Sequence, residues 1–178
     1  MRPDDVVAGL EADLVALAAA EADLERDAEV AERTRIERSS ITLVDRLRGA
    51  RAPIELTTLG GGSRSGRVSE VGDGWVLLGP EPPGRPTATA EHLVVLAAVV
   101  AVRGLGRVVV SAGPTRPRSM ASVLRSWCRD RSSVSVLTSD GTVVPGLASV
   151  AYADHLELST GGGGNVVVPF SAIAVVSR

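Results

Sequence analysis

Seven arginines, Arg103, Arg107, Arg116, Arg118, Arg125, Arg129 and Arg131, fall within 29 residues that hold a single acid, Asp130. Guanidinium groups at that density suit phosphate contact, which makes binding fall steeply with salt. Trp75 offers an indole on which a base could stack, worth about 1–3 kcal/mol per base in single-strand binders. Together these residues define a nucleic-acid reading, for RNA or DNA. A second reading has the same arginines as a solvated linker paired with acids elsewhere in the chain, and Trp75 as the cover of an apolar core. All nineteen basic residues are arginine and none is lysine, which points to genome composition rather than selection for bidentate contacts.

Other chemistries find little to work with. His92 and His155 are the only histidines, too far apart for metal-ligand spacing. No Ser/His/Asp or Cys/His arrangement is present, so we expect no enzyme, no cofactor, no metal and no small-molecule substrate. Gly60-Gly61-Gly62, Gly104-Leu105-Gly106 and the four glycines from Gly161 to Gly164 lack the Lys-Ser or Lys-Thr of a phosphate loop and read as turns. Cys128 is the single cysteine, which excludes an intramolecular disulfide and suggests a reducing cytoplasm. Its spacing from Met120 and Leu124 puts it on the apolar side of a short helix. Asp4, Asp5, Glu11 and Asp13 stand where a secretory signal needs positive charge. The longest apolar run, Leu93 to Val102, has ten residues, half of the roughly 20 that a spanning helix requires. No membrane association is expected.

The elements that position these residues come from a duplication. Set Ser39–Leu78 above Ser119–Leu158, at an offset of 80, and glycines, turns and apolar alternation coincide. Gly61 falls on Gly141, Gly66 on Gly146, Ser69 on Ser149 and Trp75 on His155. The first copy reads as strands Ile54–Thr58, Arg64–Val71, Trp75–Leu78, Leu93–Leu96 and Val99–Val102. The second reads as Val134–Thr138, Val143–Ala151, His155–Leu158, Asn165–Val168 and Ala172–Val176, its last pair realigned at an offset of 73. A short amphipathic helix precedes each copy.

Residues 1–38 hold eleven acids and five arginines and contain, after Pro3, no further proline. Val7, Leu10, Leu14, Leu17, Leu24, Ala28 and Ala31 recur in steps of three, four and seven, which predicts one long helix with a coiled-coil seam. Such a helix spans about 50 Å at roughly 1.5 Å per residue, longer than a small β-unit can cover, and favours association with another chain. The expected organisation is an α+β protein: an acidic helix over 1–38, a first helix and five-stranded antiparallel barrel over 39–104, a basic linker over 105–118, and a second helix and barrel over 119–178.

A helix followed by five bent strands, the last two joined by a short turn, resembles the Sm-like fold, and the strand pattern is similar to SH3-like barrels as well. The resemblance implies closed barrels and assembly by pairing the fourth strand of one unit with the fifth of its neighbour. It also implies an RNA pocket built from an aspartate and an asparagine after the second strand and an Arg-Gly pair after the fourth. Those residues are not matched: the positions read Gly72-Asp73-Gly74-Trp75 and Tyr152-Ala153-Asp154-His155, then Leu96-Ala97-Ala98 and Pro169-Phe170-Ser171. The leading expectation is therefore a non-enzymatic interaction or scaffold module that forms a homo-oligomer or takes a protein partner. The nucleic-acid reading stands as its rival.

Overall fold

The computed structural model describes residues 25–80, 90–111, 113 and 117–178, in two compact units, one ending at Ile41 and the other spanning Thr42–Arg178. In the first unit residues 25–39 are helical (α1). Arg33–Glu29 at 3.0 Å and Arg35–Glu32 at 2.7 Å bridge successive turns, and Val30 and Ile36 stand exposed. Exposed pairs of this kind add only a few tenths of a kcal/mol each. The expected seam positions Val7 to Leu24 lie outside the described residues.

The second unit begins with α2 (Leu43–Arg48), started by a capping box in which Thr42 and Asp45 satisfy each other's backbone N–H. Five strands follow: β1 (Ile54–Thr58), β2 (Ser63–Val71), β3 (Trp75–Gly79), β4 (His92–Val95) and, after a 3-10 turn at Leu96–Ala98, β5 (Val99–Arg103). After α3 (Met120–Arg129) the second copy gives β6 (Ser133–Thr138), β7 (Val143–Ala151), β8 (His155–Ser159), β9 (Asn165–Pro169), a 3-10 turn at Phe170–Ala172 and β10 (Ile173–Ser177). Ser119 caps α3 by accepting from the Ser122 N–H.

The duplication survives at the level of register. β2 slips by one residue against β3 between Val68 and Glu70, and β7 slips against β8 between Ala148 and Val150, 80 residues on. Gly66 and Gly146 sit where a Cβ would meet the carbonyls of Gly79 and Ser159 at 2.5 and 3.0 Å, so both second strands press onto the third with no side chain between them. For the last two strands the offset is 74, not the expected 73. Trp75 faces Val95 as His155 faces Pro169, and Thr58 faces Val99 as Thr138 faces Ile173.

The two closed barrels expected over 39–104 and 119–178 are not what forms. All ten strands belong to one antiparallel sheet, not closed, in the order β5-β1-β2-β3-β4-β10-β6-β7-β8-β9. Its centre is a seam between the copies, where Val94 faces Val175, Leu93 faces Val176 and His92 faces Ser177. Reciprocal backbone bonds of 2.9 and 3.0 Å between Glu91 and Arg178 lengthen it. β4 thus takes the fifth strand of the other copy as its outer neighbour, and β5 and β9 are left at the edges.

Both cores cross the seam. Trp75 and Leu93 pack with Trp127, Val134, Leu156 and Val176, whereas Leu137, Ala174 and Val175 pack with Leu47, Ile54, Leu56 and Val94. Neither copy closes a core alone, as expected of units of roughly 60 residues that bury only about 60% of their unfolded surface.

Among the described residues one buried polar side-chain atom is left over. The Thr58 hydroxyl is buried without a partner, whereas its counterpart Thr138 donates to Asp140 Oδ1 at 2.5 Å, an acid that Gly60 replaces in the first copy. Leaving a hydroxyl unpaired costs about 1–3 kcal/mol, so Thr58→Val should raise the melting temperature. Thr138→Val should lower it, and thermal unfolding of the two variants with equal shifts would contradict this assignment.

Candidate interaction surfaces

The arginine run is dispersed by the fold. Arg103 on β5 lies 3.6 Å from Glu55, and Arg118 lies 3.0 Å from Glu70. Arg125 donates to the carbonyls of Ala151 and Tyr152 at 3.2 and 3.5 Å. Arg107, Arg129 and Arg131 are exposed, Arg131 with a φ of 49° just after the α3 cap, and Arg116 lies outside the described residues. Two of the seven, Arg125 and Arg129, border one cavity.

Trp75 is fully buried and its indole N–H donates to the Arg118 carbonyl at 3.0 Å, so no ring face is open to a base. Its counterpart His155 stacks on Tyr152 with centroids 4.5 Å apart and planes at 18°, and its Nδ1 lies 2.7 Å from Asp154 Oδ1. Cys128 is half-buried against the core rather than enclosed, and that burial raises its thiol pKa. Among the described residues no group of three or more His, Cys, Asp or Glu side chains is placed to hold a metal, and no helix is long and apolar enough to cross a membrane.

Sequence reasoning missed the clamp that closes the seam. Arg178 reaches across to Glu91, with Nε to Oε2 at 2.6 Å, and to Asp130 at 3.5 Å. Its guanidinium carbon lies 4.8 Å from the Trp127 ring centroid. Charge pairing and a cation–π contact therefore converge on one residue, half-covered between the copies. Beside it, His92 Nδ1 and Ser177 Oγ share a hydrogen bond of 2.8 Å. The turns of the two copies also touch, because a Cβ on Gly60 would meet the Thr138 carbonyl at 2.5 Å. At that point only glycine fits, its φ being +79° as well.

Among the described residues, two concave surfaces stand out. One is a groove of about 400 Å³ along the β9 edge, lined by Val144, Val166, Val167, Val168 and Ala172 with Thr138 and Asp140 at its end. The corresponding face of the first copy is where β10 sits. The other is the cavity of about 410 Å³ between α3 and β7, lined by Arg125, Cys128, Arg129, Ser149, Val150 and Ala151.

Compared with known proteins, the chain matches no family model, no curated protein and no solved structure.

The seam carries a titratable group whose sign is fixed. Burial, and secondarily the Arg64 guanidinium, hold His92 below the ordinary histidine pKa of 6.5. The unfolded chain therefore takes up the proton more readily, so the contribution of neutral His92 is complete above 6.5 and is lost as pH falls through the folded value. Between about pH 7.5 and 5.5 the melting temperature should drop, and His92→Gln should flatten that drop; a variant with the parent's slope would remove His92 from the account.

Proposed function

We propose that the chain is a non-enzymatic scaffold module that assembles with copies of itself through the two edges of its sheet and through its N-terminal helix. One observation carries the reading: equivalent strands are buried where the other copy pairs with them and exposed where nothing does. Leu93 on β4 is 0% exposed and its counterpart Val167 on β9 is 57% exposed; Ala174 on β10 is 0% and its counterpart Val100 on β5 is 62%. Natural proteins usually blunt free edges with charge, and here the edges carry valines.

Shifting both partners of the seam by 74 residues gives the register of such a joint. Val166 comes opposite Arg103 of a second copy and Val168 opposite Ala101, while Val167 and Val102 exchange backbone hydrogen bonds. The outer joint is the weaker one. Asn165 and Gly104 stand where Glu91 and Arg178 make the clamp, and Pro169 has no N–H to give where Val95 has one. Because the two edges differ, the joint is heterologous and generates rings or open chains. The Sm-like resemblance belongs to this reading, supported by the order fifth-first-second-third-fourth in both halves. A nucleic-acid role is less well supported, since Trp75 is covered and Arg103 and Arg118 already have carboxylate partners.

Native mass spectrometry and sedimentation of the full chain should give particles of more than one chain that dissociate on dilution. In a Cys128→Ser background, chains carrying Val166→Cys mixed with chains carrying Arg103→Cys should form a disulfide, since a non-hydrogen-bonded antiparallel pair brings Cα atoms to about 4.5 Å. Single-chain particles at every concentration would refute self-assembly. Removing residues 1–38 should lower the number of chains, and an unchanged number would take the helix out of the proposal.

A further inference from the structure

The cavity between α3 and β7 has a filled counterpart in the first copy, and the comparison indicates what enters it. By the offset of 80 that matches Leu47 to Trp127, its lining residues Arg125, Arg129, Ser149 and Val150 correspond to Asp45, Gly49, Ser69 and Glu70. The linker after β5 lies against α2 there. Arg46 donates to the carbonyls of Leu105 and Gly106 at 3.4 and 3.0 Å, and the Val110 N–H donates to the Asp45 carbonyl at 3.0 Å. A Cβ on Gly49 would lie 2.1 Å from the Val108 carbonyl, so linker backbone lies directly against the helix. On the far side Arg118 pairs with Glu70 before the chain enters α3.

In the first copy, then, linker backbone from Leu105 to Val110 lies against α2, the Asp45 carboxylate is taken up by Thr42 and Arg48, and Glu70 is met by Arg118. In the second copy the corresponding groove is lined by two cations and no acid. Asp45 is replaced by Arg125, Gly49 by Arg129 and Glu70 by Val150, and no described segment covers it. Arg125 is held in place by the carbonyls of Ala151 and Tyr152, and Arg129 has no carboxylate partner among the described residues. Val150, 40% exposed, supplies an apolar contact at the position of Glu70.

We propose that this groove is a docking site for an extended acidic segment of a partner protein, seated as the linker is seated on α2 and held by Arg125 and Arg129. The bulk of Arg129 prevents a backbone approach as close as that at Gly49, so the partner is gripped through its carboxylates rather than through its main chain. Polypeptide is favoured over nucleic acid because the filled counterpart holds polypeptide, and because Tyr152, the aromatic beside Arg125, is already stacked on His155. The site is separate from the sheet edges, so it stands or falls independently of self-assembly.

The test uses the full chain and an end-blocked fluorescent peptide of sequence 105–111 with glutamate in place of arginine at position 107, read by anisotropy. The acidic peptide should bind at least about tenfold more tightly than the unaltered one. Arg129→Gln and Val150→Glu should each weaken it about tenfold, with the far-UV spectrum and the number of chains per particle unchanged. Equal affinity for both peptides, or binding indifferent to both substitutions, would overturn the proposal. So would an oligothymidine that binds with the same dependence on Arg129 while the acidic peptide does not.

Discussion

The pairing of β4 with β10 is the interaction on which the rest of this sheet depends. It joins the two copies through three facing pairs, extends to Glu91 and Arg178, and draws residues of each copy into the other's core. A backbone hydrogen bond contributes only about 0.5–1.5 kcal/mol net, so the ladder itself is not the main term. The side chains it buries matter more: Leu93, Val94, Val175 and Val176 are all 0% exposed, and truncating a buried leucine such as Leu93 to alanine costs about 2–5 kcal/mol. Losing the seam would expose all four together, so the two halves stand as one cooperative body.

Much of this was legible in the sequence because the signals are local. β1 falls at Ile54–Thr58 as the alternation predicts, and the strand breaks fall at the glycine turns. The duplication was visible for the same reason, since Gly66 and Gly146 mark one steric requirement met twice. Closure was misjudged because it depends on which of two equivalent strands β4 takes as a neighbour. The strands β5 and β10 have the same period and nearly the same composition, and nothing within ten residues of His92 distinguishes the pairings. The clamp was illegible for a related reason: Glu91 and Arg178 are 87 residues apart, and each alone reads as a surface charge.

The candidate residues fared according to the same division. Seven arginines close in sequence suggested one basic surface, but β5, the linker and α3 carry them to different places. Arg103 meets β1, Arg118 meets β2, and among the described residues Arg125 and Arg129, one helical turn apart, stay together. Helical spacing is what a sequence transmits reliably, and it is why that pair survived. Trp75 read better as the cover of an apolar core than as a stacking surface, and it is buried. Its burial follows from the Arg118 carbonyl that receives the indole N–H, a partner supplied from 43 residues away.

Duplication sets a limit on what each copy can do, and divergence at a few positions sets the difference. At the seam Gly60 lets the Thr138 carbonyl approach, at the expense of leaving the Thr58 hydroxyl unpaired; the second copy has Asp140 there, which completes the bonds of Thr138. Of the two turns that touch, the first copy's is therefore the less satisfied, and the second copy's is completed by its own Asp140. Pro169 in place of Val95 acts in the same direction by removing one donor from the β9 edge. The exposed valines of the β9 edge are thereby left uncharged but short of one backbone donor that β4 has. Under the self-assembly proposed above, an edge that is apolar but short of one donor makes a weaker joint than the inner seam.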